Sequence, residues 1–138
     1  MADVQKLFLS SPEFAVVGAS KDQSKFGTKV LKWYIERNKT VTPIHPREIV
    51  LEGIPTVPDL ASLSSPSTTS VSIITPPKIT LNVLKQVKEL GVPAVWIQPG
   101  AEDQEVKDYI EEADLKDKVV LGGPCILVLG DGIIKSLL

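Results

Sequence analysis

The residues best suited to chemistry in this chain fall in one short stretch, Gly18-Ala-Ser-Lys-Asp-Gln-Ser-Lys-Phe-Gly27, directly after an apolar run. Gly18 removes a Cβ where the chain leaves that run, and Ser20 offers a hydroxyl. The amides near Lys25, Phe26 and Gly27 open a helical pattern. Amide hydrogens at a helix start, with an ammonium beside them, make a cradle for phosphate. The pattern is not a dinucleotide fingerprint: Gly18 and Gly27 lie nine positions apart with no glycine between them, so G-x-G-x-x-G is absent. The second strand ends Pro43-Ile-His45-Pro46-Arg47, without the acid that usually holds the ribose of NAD. The basic pair His45 and Arg47 suits an extra phosphate instead.

Other chemistries find little support. His45 is the one histidine and Cys125 the one cysteine, far apart in sequence, so no metal-ligand spacing exists. No Ser-His-Asp signature is present, and the chain is read with no catalytic residue and no metal site. Cys125 alone cannot form an intramolecular disulfide and is expected to be a small buried hydrophobe. Trp33 and Trp96 sit within apolar runs and are assigned to packing.

The elements that must position the loop follow from hydrophobic patterning. Five short β-branched runs, 13–17, 40–44, 70–74, 94–97 and 118–121, alternate with helical patterns. They are mostly continuous rather than alternating, as strands covered on both faces should be. Residues 25–38 carry Phe26, Val30, Leu31, Tyr34 and Ile35 at helical spacing, and residues 77–90 carry Ile79, Val83, Leu84, Val87 and Leu90. Proline at the start and Gly91 at the end bound the second of these. A third helix over 102–115 opens with acids, which suits its positive end, and a short leading helix over 4–9 is expected outside the sheet.

The reading is α/β: a three-layer, Rossmann-like open parallel sheet of about five strands, helices on both faces, within a single domain spanning 1–138. Residues 46–66, rich in proline and serine, read as an irregular crossover with one helical turn near Asp59. Gly130-Asp-Gly132, between two apolar runs, predicts a small C-terminal hairpin. Ligands of such sheets bind outside the carboxyl ends of the strands, where strand order reverses. Four of the five ends here finish in glycine, proline or small hydroxyl residues, namely Gly18-Ala19-Ser20, His45-Pro46, Thr75-Pro76-Pro77 and Gln98-Pro99-Gly100.

Composition narrows the function further. The chain has 138 residues, 43% hydrophobic and 23% charged, with a net charge of −2 and a pI near 5.4. That balance lacks the long-range attraction on which nucleic-acid and anionic-membrane binding rely. No apolar run approaches the ~20 residues of a membrane-spanning helix. With no signal-peptide pattern, a cytoplasmic protein is expected.

Taken together, Val16-Val-Gly-Ala-Ser20 with Lys25-Phe-Gly27, Pro43-Ile-His-Pro46, Ile74-Thr-Pro-Pro77 and Val95-Trp-Ile-Gln-Pro-Gly100 resemble, in register, the stand-alone CoA-binding domain family. This family is related to the N-terminal domain of the succinyl-CoA synthetase α subunit. The resemblance implies a diphosphate held by Gly18, Ala19, Ser20, Lys25, Phe26 and Gly27. It implies an adenosine end flanked by His45 and Pro46, with Arg47 within reach of a phosphate. Thr75, Pro76, Pro77 and Ile79 would form an apolar edge for adenine or pantetheine, and Gln98, Pro99 and Gly100 the far wall.

The chain departs from the family at Gln23, where proline is usual, and at His45, where asparagine is usual. A protonated His45 would add charge and make affinity depend on pH near neutrality. Gly122-Gly-Pro-Cys125 resembles the Gly-Pro-Asn-Cys stretch of the synthetase domain with the asparagine unmatched. The phosphohistidine domain of the synthetases has no counterpart here, so the resemblance implies binding of coenzyme A or an acyl-CoA without catalysis, in a carrier, sensor or accessory role. Two alternatives stay open: an NAD(P)-binding oxidoreductase-like domain, and a protein-interaction module with a degenerate pocket. No pattern requires a homodimer or protein partner, and both remain open.

Overall fold

The computed structural model describes residues 2–121, 123 and 125–138. Five parallel strands form the main sheet: β1 (Glu13–Val17), β2 (Val41–Ile44), β5 (Thr69–Ile73), β6 (Val95–Ile97) and β7 (Val119–Val120), in the order β2-β1-β5-β6-β7. A second, two-stranded antiparallel sheet pairs β3 (Val50–Leu51) with β4 (Ile54–Pro55). Five α-helices complete the fold: α1 (Ala2–Leu9), α2 (Phe26–Glu36), α3 (Pro77–Leu90), α4 (Gln104–Glu112) and α5 (Ile126–Ser136). The chain steps outward from β1 to β2, then returns to place β5 on the other side of β1 and steps outward again. The order therefore reverses between β1 and β5, and a crevice opens beyond their carboxyl ends.

Successive residues of each strand feed opposite cores. From β1, Ala15 and Val17 join Val83, Leu84 and Val87 of α3 and Val106 and Ile110 of α4. Phe14 and Val16 join Phe8 of α1, Val30, Leu31, Trp33 and Tyr34 of α2, and Ile126 of α5. Three layers result, with α3 and α4 on one face and α1, α2 and α5 on the other. The second core is aromatic: Phe14 stacks on Tyr34 at 4.9 Å, and Phe8 meets Trp96 edge-on at 5.6 Å. Small side chains of the central strand fit beneath these rings and are satisfied there. Ser72 Oγ lies 2.7 Å from Tyr34 Oη, and Ser70 Oγ lies 2.6 Å from Ser11 Oγ. Burial pushes the Tyr34 phenol far above its ordinary value, so it stays protonated.

Two segments differ from the sequence expectation. The crossover after β2 contains the β3–β4 hairpin, closed by Glu52 and Gly53 with φ of 50° and 80°. Positive φ at both central positions is the turn that matches strand twist. The expected C-terminal hairpin is instead helix α5. Gly130 is helical because α5 crosses α2 there: a Cβ at Gly130 would sit 2.3 Å from Trp33 Cζ2. Asp131 is held outward by Arg37, whose Nε and Nη2 lie 2.5 and 2.9 Å from the two carboxylate oxygens, and whose guanidinium stacks 4.4 Å from Trp33. That pairing holds the Asp131 carboxyl below the usual carboxylate range. The Gly-Asp-Gly triplet thus serves a helix crossing rather than a turn.

The two glycines of α5 separate these readings. Replacement of Gly132, whose added Cβ meets nothing within 4 Å, gains helix propensity, so G132A is expected to stabilise the protein by up to about 1 kcal/mol. G130A gains the same propensity but must displace the Trp33 ring, an overpacking cost of about 1–3 kcal/mol, and is expected to destabilise. Urea denaturation of both variants checks this; a hairpin with left-handed glycines would make both substitutions destabilising.

Candidate functional site

The crevice between the ends of β1 and β5 is built by two glycines. Gly18 leaves β1 with φ 118°, and a Cβ there would lie 2.1 Å from the carbonyl oxygen of Ile74, at the exit of β5. A Cβ on Gly27 would lie 2.1 Å from the carbonyl oxygen of Gly18 and 2.9 Å from the amide nitrogen of Ala19. Three backbone segments therefore meet where side chains are excluded. The start of α2 is brought down onto the strand exit, and the amides of Phe26, Gly27 and Thr28, which precede the first helical acceptor, lie at the crevice. The first i→i−4 bond runs from Lys29 N to Lys25 O at 3.1 Å, and Lys25 provides no side-chain cap.

The loop between the glycines is internally ordered. Ser20 N donates to Thr28 Oγ1 at 3.2 Å, and Thr28 Oγ1 donates back to Ser20 O at 2.9 Å. The Asp22 carboxylate accepts from Ser24 N at 2.9 Å and Ser24 Oγ at 2.6 Å, which holds its carboxyl below the ordinary value. Ser20 Oγ, expected to face a ligand, accepts from Asp22 N at 3.1 Å and retains its own hydrogen for donation. Ala19 is buried in the aromatic core and offers the crevice only its backbone. Lys25 is exposed and makes no salt bridge among the described residues. Its neighbours Lys21 and Lys32 are paired, to Glu48 at 3.1 Å and Glu52 at 3.8 Å.

Glu52 also ties the β3–β4 hairpin to the loop. Gln23 Nε2 donates to Glu52 Oε2 at 3.0 Å and to Lys21 O at 3.2 Å, while Gln23 Oε1 accepts from Lys32 Nζ. At the end of β2 the His45 amide donates to Val57 O at 2.9 Å. The ring Nδ1 of His45 accepts from the amides of Arg47 and Glu48, each at 3.0 Å. Arg47 is exposed and forms no salt bridge among the described residues.

Two clefts flank the crevice. One, of ≈ 230 Å³, lies between β1, β2 and α3, with Val17, Pro46, Ile79, Asn82 and Gln86 among its walls. The other, of ≈ 350 Å³, is lined by Phe26, Ile74, Gln98, Pro99, Cys125 and Val128 and is mostly apolar. Thr75, Pro76 and Pro77, where β5 passes into α3, line neither cleft, and Thr75 Oγ1 lies 2.8 Å from Thr80 Oγ1. Phe26 and Ile79 are 60% and 48% exposed, so neither belongs to the core although both are large and apolar. Gln98 is buried, and its side chain is spent on holding the fold together. Its Oε1 accepts from Ile126 N at 3.0 Å, and its Nε2 points to Cys125 Sγ at 3.4 Å. Gln98 thereby fixes the start of α5 against the end of β6. Gly100 lies in an exposed turn with φ 94° and lines neither cleft.

Of the stretch 122–125, Gly122 and Pro124 lie outside the described residues, and Cys125 is half-buried rather than fully enclosed. Sequence reasoning passed over Asn82 and Gln86, polar residues at helical spacing from Ile79 on the cleft side of α3. Their three- and four-residue intervals carried that signal. It also passed over Glu48 and Glu52, which no local pattern links to the loop.

The family model for a CoA binding domain matches residues 12–131. A conserved hypothetical protein from Pyrococcus furiosus is 32% identical, with a TM-score of 0.75 over 84% of this chain and 97% of that one. A hypothetical protein from Pyrococcus horikoshii OT3, 22% identical, shares the fold at a TM-score of 0.82, over 96% of this chain and 90% of that one. A dinucleotide forming acetyl-coenzyme A synthetase 1 of Ca. Korarchaeum cryptofilum, in complex with phosphate and ADP, is 27% identical with a TM-score of 0.70. That match covers 89% of this chain but 28% of the synthetase. No curated protein matches the chain.

The meeting of strand exit and helix start makes a direct prediction. Because the atom facing Gly27 is backbone, no side chain can turn away to accept a methyl group there. G27A is expected to lower stability by about 3 kcal/mol, at the upper end of overpacking costs, as read by chemical denaturation. A G27A protein as stable as the parent would mean that the helix start is not held against Gly18.

Proposed function

The chain belongs to the CoA binding domain family, and from that premise we propose that it binds coenzyme A, free or acylated, across the crevice between β1 and β5. In this reading the diphosphate lies on the backbone of Gly18, Ala19 and Ser20 and on the amides that begin α2 at Phe26 and Gly27. Lys25 supplies the charge. The observation that carries the reading is the contact of Gly18 with Gly27, which sets the start of α2, whose first amides have no acceptor within the helix, beside a strand exit at the reversal point.

The two clefts then serve the two ends of the ligand. Adenosine occupies the cleft beside His45, Pro46 and Ile79, with Arg47 able to reach a phosphate. The pantetheine arm runs past Thr75, Pro76 and Pro77 to the apolar cleft lined by Phe26, Gln98 and Pro99, with Gly100 beyond it. The exposure of Phe26 and Ile79 supports this, since a ligand laid across the crevice would cover apolar surface that the fold leaves in water. We assign the chain, read as one such domain over 1–138, a carrier, sensor or accessory role without chemistry of its own. The synthetase match, confined to 28% of that longer chain, fits a binding portion separated from catalytic ones. Among the described residues, no helix is long and apolar enough to cross a membrane.

Calorimetric titration of nucleotide-free protein with CoA, 3′-dephospho-CoA and NADP tests the proposal. CoA is expected to bind well above the other two. Lys25→Ala is expected to weaken CoA by about 1.5–3 kcal/mol, the loss of one charge-assisted hydrogen bond. Binding of NADP without CoA would move the protein to the dinucleotide reading. Failure of all three ligands would point to a protein-interaction role.

A further inference from the structure

The hydrogen bonds of His45 define its chemical state. A backbone N–H can only donate, and the amides of Arg47 and Glu48 both point to His45 Nδ1 at 3.0 Å. Nδ1 must therefore carry a lone pair, which makes the ring neutral with its proton on Nε2. The imidazole closes the turn after β2 as an asparagine side-chain oxygen closes an Asx turn. That turn holds Pro46 in the wall of the nucleotide cleft and presents Glu48 to Lys21 at 3.1 Å. A proton on Nδ1 replaces an acceptor with a donor and sets two N–H groups against a third.

We propose that His45 is a positioning residue for the nucleotide cleft, and that its protonation opens the turn and weakens ligand binding in acid. The inference rests on the CoA reading above, and its sign is opposite to that of simple attraction between an imidazolium and a phosphate. The charged groups on the elements that meet this turn are few. Arg47 and Glu48 lie within it, Lys21 comes from the loop after β1, Glu52 and Lys32 lie beyond Gln23, and Asp59 follows Val57. Across the cleft α3 presents Ile79, Asn82 and Gln86, none of them charged. The Asp59 carboxylate is engaged by Ser62 N and Oγ at 3.0 and 2.9 Å, and Glu48 by Lys21. An imidazolium here gains no dedicated counter-ion to replace its two lost hydrogen bonds.

The test compares the wild-type chain with H45N and H45L by calorimetric titration with CoA at about pH 8 and about pH 5.5. The phosphate monoester of the ligand titrates near pH 6 on its own. The quantity read is therefore the difference in acid loss between wild type and H45N. Wild type is expected to lose about tenfold more affinity than H45N, whose carboxamide oxygen keeps both bonds at either pH. H45L, with no acceptor, is expected to bind about tenfold more weakly at both. The same acid loss in H45N as in wild type, or affinity that rises in acid, would overturn the proposal.

Nitrogen NMR of the ligand-free proteins supplies a readout independent of CoA. Wild type should show the Nε2–H tautomer, and the Arg47 and Glu48 amides should shift as the ring titrates, with no such shift in H45N. An Nδ1–H tautomer, or amides that ignore the titration, would refute the positioning role. If CoA binds at no pH while the amides respond, the CoA reading and the affinity claim fall together, and the turn itself stands.

Discussion

Backbone meets backbone where β1 ends and α2 begins, and the architecture of the crevice depends on that approach. Gly18 lies against the Ile74 carbonyl, and Gly27 against the Gly18 carbonyl, at distances no Cβ could occupy. A side chain at Gly18 would strike the Ile74 backbone, and one at Gly27 would push α2 away from the strand exit and carry the helix amides out of the crevice. It would also loosen the aromatic core, since Val30, Leu31, Trp33 and Tyr34 reach Phe14 and Val16 along the same helix. One steric constraint thus couples the stability of the fold to the shape of the crevice, and neither can be tuned alone.

Around that constraint the electrostatics are arranged by a segment far away in sequence. The β3–β4 hairpin and the turn before it bring Glu48 and Glu52 to Lys21, Lys32 and Gln23, so that Lys21 and Lys32 are already paired. Lys25, at the helix start, makes no such pair among the described residues. These exposed ion pairs contribute little to stability. Their effect is to neutralise Lys21 and Lys32 and to steady a loop that already carries its own Asx turn at Asp22.

Most of the fold was legible in the chain. Continuous β-branched runs located all five parallel strands to within a residue or two, apolar spacing at three and four residues located α2 and α3, and an acidic opening located α4. The close approach of the loop after β1 was legible for a related reason, because a glycine at a strand exit and another at a helix start mark places where backbone must come near backbone. The C-terminal helix was not. Gly130 and Gly132 are the strongest local turn signal in the segment, and only contact with Trp33 on a different helix explains why one of them is needed inside α5. Gln98 lines the apolar cleft, and its bond to the start of that same helix, a partner 28 residues away, had no local signal.

What the sequence determined by itself was periodicity and punctuation: strand and helix type, their order, and the phosphate-cradle composition of the first loop, because these rest on interactions within a few residues. Strand order and the pairing of Glu48 and Glu52 with Lys21, Gln23 and Lys32 were decided only by tertiary structure. Each depends on which groups meet after the chain has closed distances that local propensity does not encode. The Gln23–Glu52 hydrogen bond is the clearest instance: its partners stand 29 positions apart, and only the closed fold brings the hairpin against the loop.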